Sequence, residues 1–400
     1  MAGPLQGMKV IELSHIMSGP ICGMMLADMG ADVIKVEKMD GGDDCRRFAP
    51  ILPHGESASF MILNRNKRDI ALNLKTEGGK EVLRRMLADA DVVTENYRKG
   101  TMEKLGLGYD SLKKLNPGLI YCSVSGYGRT GPYADKGGFD LIAQGLSGLM
   151  SNTGEPGQAP IKAGSPIADI NAGILAALGI AAAYAHKQRT GQGQVVDTSL
   201  LEAGFQQMYW PAANYFSEGV ILPKMGSANS TSTPYQAFKT QDGWINIGAA
   251  NQGNYERLVQ VLDSPAISND PRFATNPERM RNREALVALI NECLIRDTTQ
   301  NWVARLDAAG LPVGAVLDIS QAVEHPQILE REMIVETHHP HTGTARSIAL
   351  PIRFSETPKQ VSRPSPLLGE HTREVLMEYG YDESQIAQLR REGAILSEAG

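Results

Sequence analysis

Residues 8–37 read MKVIELSHIMSGPICGMMLADMGADVIKVE, and this stretch decides the fold. Residues 9–13 form a short apolar run of the kind that makes a buried strand. Ser18, Gly19 and Pro20 then open a helix: serine is a capping residue, and a proline in the first turn costs no hydrogen bond. Gly30 closes that helix in the left-handed conformation, and 32–37 is the next strand. Strand, helix and strand in this order predict a parallel pair with the helix packed across it.

Working outward, the same alternation continues. Ile70, Leu72 and Leu74 alternate as a strand does, and 92–95 and 119–125 read as further strands. Between them, 76–90 places Val82, Leu83, Met86 and Leu87 at helical spacing. The fold class is therefore α/β, with a Rossmann-like large domain built on a parallel sheet. Residues 170–188 are Ala-rich and apolar on nearly all sides, which predicts a fully buried helix; a turn at 189–193 leads to a strand at 194–198. From Pro223 the composition shifts to Ser, Thr, Asn and Gly, so we divide the chain into 1–222, 223–335 and 336–400. The middle part predicts a smaller α+β domain. It has a β-hairpin of 235–238 and 244–248 around Asp242-Gly243, with helices at 255–262 and 283–295. The last part returns to strand-like text and ends in a helix near 372–379.

The chain has 400 residues, 39 basic against 45 acidic, for a net charge of −6; 42% are hydrophobic and 21% charged. That is globular composition, and the mild acidity excludes a nucleic-acid scaffold with its basic face. The four cysteines, Cys22, Cys45, Cys122 and Cys293, are too scattered for a disulfide framework or a zinc site, and they fit a reducing compartment. The opening residues have no apolar signal core, and the longest apolar run, 172–185, falls short of the roughly 18 residues a bilayer needs. The expectation is a cytoplasmic or organelle-matrix protein with no membrane or nucleic-acid partner.

Four features are candidates for chemistry. The turn after the first strand, His15-Ile16-Met17-Ser18-Gly19-Pro20, lacks the glycine fingerprint of a dinucleotide site, although Glu37 stands where such a site wants an acid. Asp169 lies at the mouth of the Ala-rich helix; a lone Asp there reads first as the cap of that helix, and the functional alternative is a carboxylate held beside an oxyanion site. Basic and polar residues gather at strand ends, among them Lys38, Arg46, Arg47, Arg65, Lys67, Arg68, Lys75, Asn96, Arg98, Lys99 and Lys104. They form either a phosphate site or a solvated face. His338, His339 and His341 lack metal-ligand spacing and read as a surface loop.

Seven blocks of this chain, in order, resemble the class III CoA-transferases of CaiB/BaiF type. They are GMKVIELSHIMSGPICGMMLADMGADVIKVEKMDGGDDCRRF, NRNKRDIALNLKTEGG, VVTENYRKGTMEKLGLGYDSL, LIYCSVSGYGRTGPYADKGGFDLIAQGLSGLM, GSPIADINAG, RTGQGQVVDTSLLEA and PLLGEHTREVL. The resemblance implies an interlocked homodimer, with 336–400 returning to the large domain. It implies Asp169 as the nucleophile, passing through an aspartyl anhydride and an aspartyl-CoA thioester. It places coenzyme A, a substrate and not a resident cofactor, against His15, Ile16, Lys38, Leu72, Lys75, Asn96, Tyr97 and Lys104. It implies a backbone oxyanion loop from the smaller domain, for which 226–231 and 248–253 are both candidates. Neither is the long glycine run of the formyl-CoA:oxalate branch.

The text STPYQAFKTQDGWINIGAANQGNYERL is most similar to the branch that moves CoA from succinyl-CoA to C4–C6 dicarboxylates such as glutarate or hydroxymethylglutarate. Arg47 and Arg65 are the cations considered for a distal carboxylate. The α-methylacyl-CoA racemases of the same family carry a proton-moving His where this chain has Phe139. A non-catalytic acyl-CoA binder would leave the Asp169 block unexplained.

Overall fold

A computed structural model of the protein describes residues 3–358 and 361–396; the remaining positions of the expected 1–222 and 336–400 segments lie outside the described residues. The chain forms two compact units. The larger comprises Met1–Leu149, Ala163–Met208 and Gln327–Gly400, and the smaller Met150–Lys162 and Tyr209–Pro326. The smaller unit thus begins upstream of the composition change at Pro223.

The larger unit is built on six parallel strands: β1 (Lys9–Leu13), β2 (Asp32–Glu37), β3 (Lys67–Ala71), β4 (Val92–Glu95), β5 (Ile120–Ser125) and β6 (Val195–Ser199). Their order, β3-β2-β1-β4-β5-β6, is that of a doubly wound sheet. The strand order reverses between the parallel neighbours β1 and β4, so a crevice opens at their carboxyl ends. Val10, Ile11 and Leu13 are fully buried, which is why a strand covered on both faces reads as a continuous apolar run.

Helix α1 (Ser18–Asp28) follows β1. Its N-cap is Met17, without a side-chain bond, so the expected Ser18 cap is not used; Gly30 does adopt the left-handed conformation, at φ 96°. Helix α2 (Glu77–Asp89) is capped by Thr76, whose hydroxyl accepts the Gly79 N–H. Helices α3 (Asp140–Leu146) and α4 (Ile167–Thr190) complete the packing around the site.

Helix α4 corrects two expectations. It runs for 24 residues and is long and apolar enough to cross a membrane, beyond the shorter run read from composition. It is also not buried on all sides. A stripe of Ala168, Ala172, Gly173, Ala176, Ala177 and Ala183 packs against α1, β5 and β6, whereas Ile174 and Leu178 on other faces are 39% and 64% exposed. Small residues bring the helix close: a Cβ at Gly173 would stand 2.5 Å from the Ser18 carbonyl oxygen.

The C-terminal part adds an antiparallel hairpin, β10 (Ile334–His339) and β11 (Gly343–Ile348). This corrects the reading of the histidines as a surface loop for two of the three; His341 does lie in an exposed turn. His338 and His339 belong to β10, and His339 is fully buried, its Nδ1 accepting the His341 N–H at 3.1 Å. Two helices, Thr372–Glu378 and Glu383–Arg391, close this part; the second was not foreseen, although Asp382 and Gln385 cap it reciprocally.

In the smaller unit β7 (Tyr235–Lys239), β8 (Trp244–Gly248) and β9 (Val313–Ala315) form an antiparallel sheet. Its core joins Phe238 and Ile245 to Leu258, Leu286 and Trp302 on the surrounding helices.

Candidate active site

A cavity of about 540 Å³ lies in the larger unit at the carboxyl ends of the sheet, and Asp169 stands on its wall. The turn after β1 contributes His15, Ile16, Met17 and Ser18; that after β4, Asn96, Tyr97, Arg98 and Lys99; that after β5, Ser125, Gly126, Arg129 and 136–139. This is where an open α/β sheet binds its ligand.

The β1 turn is held from both sides. Asn96 Oδ1 accepts the His15 N–H at 2.9 Å, and Asn96 Nδ2 donates to the His15 carbonyl at 2.8 Å. The next residue, Ile16, has φ +69°, a conformation that costs a β-branched residue of order 1–3 kcal/mol. The carboxylate of Asp43 holds it there, accepting the Ile16 N–H at 2.9 and 3.1 Å. Asp43 is paired with buried Lys35 at 3.0 Å, and Lys35 also donates to the Ser14 carbonyl at 2.7 Å. A buried ionic network beneath the sheet end therefore fixes the loop above it. Burial lowers the pKa of His15, which keeps its ring neutral around pH 7.

Asp169 is the third residue of α4 and is not its cap, so the capping reading is overturned. The cap comes from another helix: Asp140 Oδ1 accepts the Ala168 N–H at 2.9 Å. Among the described residues the Asp169 carboxylate accepts no hydrogen bond, and it faces the cavity. Burial, and then the charge of Asp140, push its carboxyl up to about 6. It is thus a half-buried carboxylate, ionised at neutral pH yet more basic than an ordinary aspartate, which suits a nucleophile.

Of the residues expected to hold coenzyme A, the cavity gathers His15, Ile16, Asn96 and Tyr97. Lys38 is outside it, paired at 2.7 Å with Asp44, which does line it. Lys75 is exposed in the turn that follows β3, and Lys104 is exposed at the end of a short helix, Thr101–Lys104. Leu72 is 1% exposed and packed in the sheet core, so its side chain is not available to a ligand. Arg65, considered for a distal carboxylate, is structural: it is 1% exposed, pairs with Asp28 through two nitrogens and donates to Ser347. Arg47 is exposed and bound to Asp44.

Glu37 is likewise spent. Burial alone would raise it, but the Arg46 guanidinium outweighs that and holds it low, with contacts of 2.7 and 3.0 Å. No oxygen is left for a ribose hydroxyl, a structural reason against the dinucleotide reading.

The cavity also shows Arg129, Lys136 and Phe139, which the sequence reading did not single out as binding residues. Their signal was the glycine-rich text around them: Gly126 and Gly138 pack backbone on backbone, a Cβ at Gly138 falling 2.4 Å from Gly126 Cα. Arg129 is committed to Glu95 and Ser123. Arg98, Lys99 and Lys136 have no carboxylate partner among the described residues, and Lys136 lies 3.5 Å over the Tyr133 ring. In the smaller unit, the 226–231 loop is organised by Asn229, whose Oδ1 accepts the Thr231 and Ser232 N–H groups at 2.8 and 3.1 Å.

A doubly wound sheet, a cavity at its switch point and a half-buried carboxylate on the first turn of a helix that faces the cavity define the class as an α/β protein with its ligand site at the carboxyl ends of the strands. The chain belongs to CoA-transferase family III, whose profile matches residues 5–372. It is 40% identical to the succinate–glutarate CoA-transferase of Agrobacterium fabrum, over 94% of this chain and 95% of that protein. It is 35% identical to the mouse succinyl-CoA:glutarate CoA-transferase, over 98% and 90%. Its structure matches the crystal structure of a CAIB/BAIF family protein from Brucella suis with a TM-score of 0.88 at 38% identity, covering 95% of this chain and all of that one.

Proposed function

We propose that this enzyme moves CoA from succinyl-CoA to a C4–C6 dicarboxylate, with Asp169 as the covalent carrier. The carrying observation is the position of Asp169: on the cavity wall, its carboxyl raised to about 6 and unencumbered by hydrogen bonds among the described residues. The ionised carboxylate attacks the thioester carbonyl and CoA leaves as thiolate, giving a mixed anhydride. The thiolate then attacks the aspartyl carbonyl, releasing the donor acid and leaving an aspartyl-CoA thioester. The acceptor carboxylate attacks that thioester, expelling the thiolate, which attacks the acceptor's acyl carbon and frees Asp169. Each step passes through an oxyanion, and a backbone donor aimed at it is worth about 3 kcal/mol.

Coenzyme A enters as substrate, with its chain against His15, Ile16, Asn96 and Tyr97 and its phosphates toward Lys38, Lys75 and Lys104; at Leu72 any contact is through the backbone. Arg98, Lys99 and Lys136 give the cavity the positive charge that phosphates and a distal carboxylate both require. The relatives named for succinyl-CoA and glutarate support the choice of acids. Phe139 on the wall has no proton to move, which favours transfer over racemisation. Exposed Leu141, Ile142 and Leu146 on α3 and Leu178 on α4 form apolar surface that a homodimer would cover. Four free, buried cysteines suit a cytoplasmic enzyme.

The test is a panel of acceptor acids with succinyl-CoA, together with hydroxylamine capture and mass spectrometry of the Asp169 peptide. A preferred C4–C6 diacid and an adduct on Asp169 are expected. Preference for oxalate or a monocarboxylate would overturn the substrate assignment; turnover without an adduct would overturn the mechanism.

A further inference from the structure

Helix α4 starts without a cap of its own, since Pro166 at the N-cap contributes no side-chain bond. Its first-turn donors go to Asp140, the first residue of α3. Asp140 Oδ1 accepts the Ala168 N–H at 2.9 Å and, more weakly, the Asp169 N–H at 3.4 Å. Its other oxygen accepts from Gln144 Nε2 at 2.7 Å, and Gln144 Oε1 accepts the Ala163 N–H at 2.9 Å. Gln144 is fully buried and stands one helical turn beyond Asp140. The two side chains therefore grip both ends of the segment that delivers Asp169 to the cavity.

We propose that Asp140, braced by Gln144, is a positioning residue for CoA transfer: it fixes the first turn of α4, and its negative charge keeps the Asp169 carboxylate from being over-stabilised as a resting anion. The donors at a helix N-terminus would otherwise favour a carboxylate in that first turn and make it a poorer nucleophile. Asp140 occupies those donors and adds a like charge beside the nucleophile. Its charge is the named partner in the upward shift of Asp169, after burial. The other charged or titratable groups on the cavity wall are His15, Asp44, Tyr97, Arg98, Lys99, Arg129 and Lys136, and burial pushes the Tyr97 hydroxyl up, away from the acid limb. His15 is shifted by burial, then by Asp43 and Lys35, so a change at Asp140 leaves its titration in place.

This inference rests on Asp169 being the acyl carrier, and the test separates the two. Asparagine also caps helices, so Asp140→Asn keeps an oxygen for the Ala168 N–H and removes the charge; its amide NH2 can no longer accept from Gln144, and Gln144→Ala is the control for that lost bond. The acid limb of its kcat/KM profile should move to lower pH by about half a unit or more, with the KM for succinyl-CoA within about twofold of wild type. Gln144→Ala loosens the grip without altering charge. Its kcat should fall on the order of tenfold or more, with the limb unmoved. Circular dichroism and melting confirm that each variant is folded. An unmoved limb and unchanged kcat in Asp140→Asn overturn the proposal while hydroxylamine capture still marks Asp169; absence of capture in the wild type overturns the carrier itself.

Discussion

Asn96 and the main chain of His15 bind each other reciprocally, N–H to Oδ1 at 2.9 Å and Nδ2 to carbonyl at 2.8 Å, across the point where the strand order reverses. The pair ties the ends of β1 and β4 together at the mouth of the cavity, beside an Ile16 whose φ of +69° needs support. Replacing Asn96 by Ala should release that strain and let the turn relax away from the ligand. We expect the KM for acyl-CoA to rise about tenfold or more, with a smaller change in kcat. Asp at this position cannot donate to the carbonyl and should recover little. Steady-state kinetics of both variants decide; an unchanged KM would show that the pair holds only the fold.

As the proposed nucleophile, Asp169 should set the acid limb of the reaction. With its carboxyl raised to about 6, the carboxylate form is lost as pH falls through that value. kcat/KM should therefore decline about tenfold per unit below pH 6 and flatten above 7. A profile level down to pH 4.5 would mean that the nucleophile is an ordinary aspartate or lies elsewhere.

Arg65 should behave as a structural residue. It is buried against Asp28 and Ser347, so Arg65→Ala leaves the buried Asp28 carboxylate without its cation, though Asn66 still donates to it, and should cost about 3–5 kcal/mol of stability. The folded fraction should keep its KM for the diacid. Thermal melting with acceptor-concentration kinetics tests both parts; a raised diacid KM in a protein of normal stability would restore Arg65 as a substrate ligand.

Asp69 and Glu37 form a buried carboxyl pair in which burial and the Glu37 charge push Asp69 well above an ordinary aspartate. The folded protein then holds a proton that the unfolded chain releases. Its contribution is complete below the unfolded carboxyl value near 4 and is lost as pH rises toward the folded value. Asp69→Asn mimics the protonated form, so it should melt at the same temperature as wild type or higher at pH 8, with less dependence on pH. Greater loss of stability at pH 8 than at pH 5 would contradict the shared proton.

Gly173 lets α4 approach α1, and an alanine methyl there would meet the Ser18 carbonyl at 2.5 Å. Gly173→Ala should cost about 1–3 kcal/mol and weaken acyl-CoA binding, because Met17 and Ser18 line the cavity. Melting and ligand titration are the checks, and a fully stable variant with normal affinity would show that α1 can move at no cost.

The sequence by itself determined the strands and helices of the sheet, because strands covered on both faces must be apolar and their helices must close at residues such as Gly30. β1, β2 and β4 run where the text placed them. It also singled out Asp169, through the block around it. Only the tertiary structure decided what the charges do. Arg65 and Lys38 look alike in the text, yet one is buried against Asp28 and the other stands at the rim beside Asp44. His339 looked exposed until its strand paired. Asp140 reaches the helix of Asp169 across 28 residues of chain, and no local pattern encodes that meeting. Periodicity records which face of an element is covered; which charge meets which depends on contacts between distant elements, and those exist only once the chain has packed.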